Sequence, residues 1–131
     1  MNLLLDTHIA IWAMTERKRI RPDALKMMAD ANNQVFVSAA TIWEIAIKFP
    51  LTKRHGAPPF SAAEARRLFA EARFTMLDIT PAHAATVETL PALHGDPFDR
   101  LLVAQALSEP MRLLTADVRL ATYSDLVTLA G

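Results

Sequence analysis

The chain contains no cysteine in 131 residues. Disulfides, thiolate metal sites and a cysteine nucleophile are therefore excluded. Glycine is almost as scarce, with three in all, so no Gly-rich loop cradles phosphates and nucleoside-triphosphate chemistry is not expected. Long apolar runs are missing as well. None approaches the roughly 18 residues that a membrane span needs, and the opening MNLLLDTH meets a charge too early for a signal-peptide core. The cytoplasm is accordingly the expected compartment. Net charge is absent too, since 14 basic residues balance 14 acidic ones. Any RNA or DNA surface has to be local. Two stretches could supply it: Arg17, Lys18, Arg19 and Arg21 in one, Lys53, Arg54 and His55 in the other. Basic residues in a connecting loop are more often simply solvated.

What is present is apolar side chain. A hydrophobic fraction of 52% and a mean hydropathy of +0.18 imply a core wrapped on both sides, or an apolar surface that meets a partner. The length fits one domain over residues 1–131, able to bury roughly two-thirds of its unfolded surface.

Short apolar runs alternate with helical patterns along the chain. NLLL (2–5), QVFVS (34–38), FTMLDI (74–79) and RLLT (112–115) read as strands, and LVTLA (126–130) as a last edge strand. Between them lie helical stretches with recognisable starts. Pro22 fits a first helical turn, and Ser38 can cap the helix AATIWEIAIKF, which Pro50 ends. Ser61 with Glu64 reads as a capping box, and Thr80 as a cap ahead of Pro81, whose helix runs to about Leu90. ADVRLATY reads as a short helical turn. The alternation predicts an α/β fold, a three-layer sandwich with a mostly parallel sheet and helices on both faces. In such sheets ligands bind beyond the carboxyl ends of the strands.

Acids stand at those ends. Asp6 closes the first strand, Asp117 follows the fourth, and Asp96 and Asp99 open the helix before it in HGDPFDR. Glu44 lies inside the apolar TIWEIAIKF. Each has a plain structural reading. Asp6, Asp96 and Asp117 are good caps, Asp99 complements a helix dipole, and Glu44 stands four residues before Lys48. Taken together they fare differently, because an unpaired buried carboxylate takes up a proton or needs a cation. Several acids converging on one sheet edge repel unless a divalent ion holds them, and an oxygen-only set suits Mg²⁺ or Mn²⁺. His8, His55, His83 and His94 show no metal-ligand pair at helical spacing, and no serine lies in a nucleophile-elbow motif.

The strings LLLDTHIAIWA, SAATIWEIAIK, HGDPFDRLLVAQA and LLTAD come in the order of PIN-domain proteins. The chain most resembles the VapC-type toxins of toxin–antitoxin pairs. The resemblance spans nearly the whole chain, and DPFDRLLVAQA is its most specific part. It implies a metal-dependent endoribonuclease on a Rossmann-like, PIN-type sheet. Asp6, Glu44 and Asp99 match the acidic triad, Asp117 the fourth acid, and Thr115 the small polar residue beside it. Asp6 and Asp99 are the implied direct ligands of Mg²⁺ or Mn²⁺, while Asp96 belongs to the motif of this subgroup. Hydrolysis in line would expel the 3′ oxygen and leave a 5′ phosphate, with Glu44 and Asp117 orienting water or a second ion. Arg100 is a candidate contact to RNA phosphate. The implied partners are an RNA substrate, a second copy of the chain in a homodimer, and a cognate VapB-type antitoxin. Helices carrying Trp12 and Trp43 could meet the antitoxin, unless both rings are core. Two other readings stay open. One is a PIN-like module that binds RNA or a partner without cutting. The other is a phosphatase, for which the second aspartate is missing because position 8 is histidine.

Overall fold

The computed structural model describes residues 1–51, 56–92 and 95–131. The expected basic stretch at Lys53, Arg54 and His55 lies outside these, as does His94. Among the described residues five strands form one sheet: β1 (Asn2–Leu5), β2 (Gln34–Ser38), β3 (Thr75–Leu77), β4 (Arg112–Thr115) and β5 (Val127–Leu129). Their order is β3-β2-β1-β4-β5, and every pairing is parallel. The helices are α1 (Thr7–Thr15), α2 (Pro22–Ala29), α3 (Ala39–Lys48), α4 (Ala62–Glu71), α5 (Pro81–Thr86) and α6 (Pro97–Ser108).

Side chains alternate across a strand, so the Leu3-Leu4-Leu5 run of the central strand feeds two cores. Leu3 and Leu5 join Val35, Val37 and Leu114 under α1 to α4, with Ile9, Ile45 and Phe69 packed there. Leu4 and Leu113 point the other way, onto Leu102, Val103 and Ala106 of α6. This is the expected three-layer arrangement, and the two cores account for the high apolar fraction. Among the described residues no helix is long and apolar enough to cross a membrane.

The helix starts follow their caps. Ser38 Oγ accepts from Ala40 N at 3.0 Å, and Asp96 Oδ1 accepts from Phe98 N at 2.8 Å and Asp99 N at 3.3 Å. Ser61 Oγ accepts from Glu64 N at 3.2 Å, but the Glu64 carboxylate pairs with Arg67 at 3.3 Å, so half of the expected box forms. A full box stands at α5, where Thr80 Oγ1 accepts from His83 N and His83 Nδ1 accepts from Thr80 N, each at 3.1 Å. The helix expected to reach Leu90 tightens after Thr86 into a 3₁₀ turn at Val87–Thr89. His83 is buried, and its Nε2 meets Glu109 at 2.5 Å; Gln105 Nε2 lies 3.3 Å from His83 Nδ1 while Ser38 Oγ donates to Gln105 Oε1 at 2.6 Å. This polar chain ties the end of β2 to α6 and α5, and so fixes the helix that carries Asp96 and Asp99.

The chain runs outward from β1 to β3, then crosses back to lay β4 on the other side of β1. The order reverses between β1 and β4, and their carboxyl ends open the crevice where open α/β sheets bind ligands.

Candidate active site

Asp6 is the first residue beyond β1 and caps α1. Its amide still extends the sheet, donating to Leu114 O at 2.9 Å. The carboxylate is held on both oxygens: Thr7 N donates to Oδ1 at 2.7 Å, and Thr115 Oγ1 donates to Oδ2 at 2.6 Å. Thr115 also accepts from Asp117 N at 3.0 Å, so one hydroxyl on β4 aligns two of the acids. Asp6 is only 3% exposed. Burial pushes its pKa above the ordinary 3.8, against the lowering effects of Thr115, His8 and Thr7, and with a further upward push from Glu44.

Asp6, Asp96, Asp99 and Asp117 line one cavity of about 410 Å³ at the β1/β4 switch point, together with Arg119. Asp96 caps α6, and Asp99, at the third helical position, opens onto the same space. Asp117 begins the turn after β4: Arg119 N and Nε donate to its Oδ1 at 2.9 and 3.2 Å, and Arg119 Nη2 donates to Oδ2 at 3.0 Å. The hydrogen bond and charge of Asp117 raise the Arg119 pKa, with smaller contributions from Asp99 and Asp96.

Glu44 adjoins this cavity across Thr7 and is absent from its lining. Its carboxylate, 5% exposed, accepts from Thr7 Oγ1 at 2.8 Å and from Lys48 Nζ at 2.6 Å. It lines a neighbouring cavity, also of about 410 Å³, with Lys48, Trp12 and the segment 56–59. The cation that its burial demands is therefore Lys48. Burial lowers the Lys48 pKa, but the Glu44 hydrogen bond and charge, aided by Asp96 and Asp99, outweigh it and raise the pKa overall. Thr7 joins the two carboxylates, through its N–H to Asp6 and its hydroxyl to Glu44.

Arg100, a candidate contact to RNA phosphate, makes hydrogen bonds within the protein. Its Nη1 donates to Pro91 O at 2.9 Å and to Tyr123 Oη at 3.2 Å, and its Nη2 donates to Val87 O at 3.2 Å. The sequence reading missed Thr7 and Arg119. Thr7 follows Asp6 directly, and Arg119 lies two residues past Asp117, a spacing that loops use freely.

Among the described residues no three His, Asp or Glu side chains close around a point where a metal ion would sit. The chemistry of the donors nonetheless fits a hard divalent cation. All four acids offer oxygen, and Mg²⁺ keeps most of its waters and needs only one or two carboxylates. Asp6 is a buried carboxylate with hydrogen-bond donors but no ion pair among the described residues. An added cation would relieve that burial.

Residues 3–126 match the PIN domain family model. The chain belongs to the PIN-domain family. It is 33% identical over 123 residues to Ribonuclease VapC22 of Mycobacterium tuberculosis (strain ATCC 25618 / H37Rv), covering 93% of this chain and 92% of that protein. Solved structures share the PIN-type fold. VapBC2 from Rickettsia felis, bound to a DNA fragment from its promoter, superposes with a TM-score of 0.72 at 16% identity, covering all of both chains. A toxin–antitoxin complex from Klebsiella pneumoniae gives 0.65 at 20% identity, over 97% of this chain and 96% of that one.

Proposed function

We propose that this PIN-domain chain is the toxin of a toxin–antitoxin pair, an endoribonuclease that hydrolyses RNA phosphodiester bonds in the cytoplasm with Mg²⁺ or Mn²⁺. The observation that carries the proposal is the placing of four aspartates around one cavity at the sheet's switch point. The near full-length relative named as a ribonuclease supports it. Asp6 and Asp99 would hold the cation, which supplies Lewis acidity toward the phosphodiester and acidifies water. Thr115 and the Thr7 amide fix the Asp6 carboxylate so that it does not have to reorganise on loading. Asp96 sets the start of α6 and thereby the reach of Asp99. Asp117 holds Arg119 at the cavity mouth, where its guanidinium faces an incoming phosphate. Glu44, held by Thr7 and Lys48, orients water from the neighbouring cavity.

The partners follow from the same reading: an RNA substrate, a cognate VapB-type antitoxin and a second copy in a homodimer. Toxin–antitoxin complexes among the fold neighbours support an antitoxin. Trp43 (55% exposed), Ile47 and Leu51 leave apolar side chains uncovered along and just beyond α3, a surface for one of these partners. Trp12, by contrast, packs against the larger core. The test is cleavage of structured RNA by the purified chain, with Mg²⁺ or Mn²⁺ and with EDTA. Metal-dependent cutting that Asp6→Asn abolishes is expected. Equal cutting by Asp6→Asn would mean that the aspartate cavity is not the source of the activity and would overturn the proposal, and no cutting with either metal would leave the non-cutting module.

A further inference from the structure

The reaction proposed above places the cation and the scissile phosphate in the aspartate cavity and uses only the Glu44 edge of the second one, whose remaining volume has no assigned occupant. The two cavities adjoin, with His8, Trp12 and Arg19 lining both. The second has a distinct character. Its walls include Ile11, Trp12, Pro58 and Pro59, and its charges pair with one another: Lys48 with Glu44 at 2.6 Å and Arg19 with Glu16 at 3.6 Å. A cavity so balanced offers little to a phosphate and suits an uncharged, flat, polar body. Its size lies in the range of small-ligand sites.

At the junction the Arg19 guanidinium lies 4.1 Å from the centroid of the Trp12 ring, and the His8 ring centroid stands 6.0 Å from it at an interplanar angle of 53°. Arg19 remains more than half exposed, so the guanidinium plane is accessible away from the indole. Unstacked bases bind to aromatic rings and to guanidinium planes of this kind. Resting on the ribonuclease reading, we propose that the second cavity binds the nucleobase and ribose of the nucleotide flanking the scissile phosphate, stacked against the Arg19–Trp12 pair. An RNA strand crossing His8 then has its phosphodiester at the aspartates and its neighbouring base beside Ile11 and Pro59. The exposed Arg19 guanidinium over the Trp12 ring favours a nucleobase as occupant.

Trp12 packs against the core, and a Cβ built at Gly131 would stand 3.1 Å from its ring, so truncating it would disturb the fold. Thr15→Phe fills the cavity from an exposed helix position instead, and Arg19→Gln removes the stacking cation. Each is expected to raise KM for single-stranded RNA roughly tenfold while kcat changes less than about twofold. In a Trp43→Phe background Trp12 is the single tryptophan. A single-stranded tetraribonucleotide in EDTA should quench its fluorescence saturably, and Thr15→Phe should abolish the quenching. Metal-dependent cleavage with unchanged KM in both variants and no quenching would overturn the subsite and leave the ribonuclease standing. Unchanged KM, with Thr15→Phe losing only a co-purifying antitoxin, would make the cavity a peptide groove and equally overturn it. Absent cleavage would remove the ribonuclease reading, and quenching alone would then decide whether the cavity takes a nucleotide.

Discussion

Asp6 and Glu44 are both buried carboxylates joined by hydrogen bonds to Thr7, yet the protein treats them differently. Glu44 has its own cation, Lys48 at 2.6 Å. Asp6 has two hydrogen-bond donors, and its pKa is raised by burial. A buried charge without a counter-ion costs stability, and a protein keeps one where something external completes it. The difference separates a cavity that waits for a cation from a cavity that is already neutral.

Four changes would break or sharpen this contrast. The largest effect is expected on catalysis: Asp6→Asn or Asp99→Asn should lower single-turnover RNA cleavage by at least roughly 10²-fold, the scale of losing an electrostatic catalytic group. Asp6→Asn should nevertheless melt at the wild-type temperature or above, because the buried charge is gone. The second effect is linkage to cation. Saturating Mn²⁺ at about 100 times its Kd should stabilise the wild type by about 2.7 kcal/mol in thermal unfolding and leave Asp6→Asn unmoved.

The third change tests the neutral cavity. Lys48→Met leaves Glu44 buried and unpaired, and should cost about 1–3 kcal/mol in urea unfolding, reduced in the Lys48→Met, Glu44→Gln double variant. The smallest effect concerns pH. A carboxyl with a raised folded pKa holds its proton more tightly in the native state. In EDTA, stability should therefore fall as pH rises from 3.8 through the raised Asp6 value. Comparing urea midpoints of wild type and Asp6→Asn across that window isolates the effect, and a slope of the opposite sign would contradict the burial account.

Much of this is legible in the sequence alone. The leucine run of β1 announced burial on both faces, and Ser38 and Asp96 announced helix starts, because local chemistry decides those features. Asp6, Asp96, Asp99 and Asp117 were legible as acids at strand and helix ends, and parallel topology brings such ends together. Glu44 is legible both as an acid among apolar neighbours and as a partner for Lys48 four residues on. The sequence does not say which reading holds, because a half-exposed lysine leaning back onto a buried acid depends on how the helix packs. Arg100 follows the same lesson in reverse, since the carbonyls that take its guanidinium belong to Val87 and Pro91, up to 13 residues away. The Ser38–Gln105–His83 chain was illegible for a similar reason: its partners meet only after the sheet and α6 have packed.

The central claim is that the aspartate cavity, and not the Glu44 cavity, is where a divalent cation binds. Titrating Mn²⁺ into wild type, Asp6→Asn and Glu44→Gln by isothermal calorimetry tests it most directly. Binding retained within several-fold by Glu44→Gln and lost by Asp6→Asn is the predicted result. Equal loss in both variants, or binding that survives Asp6→Asn, would contradict it.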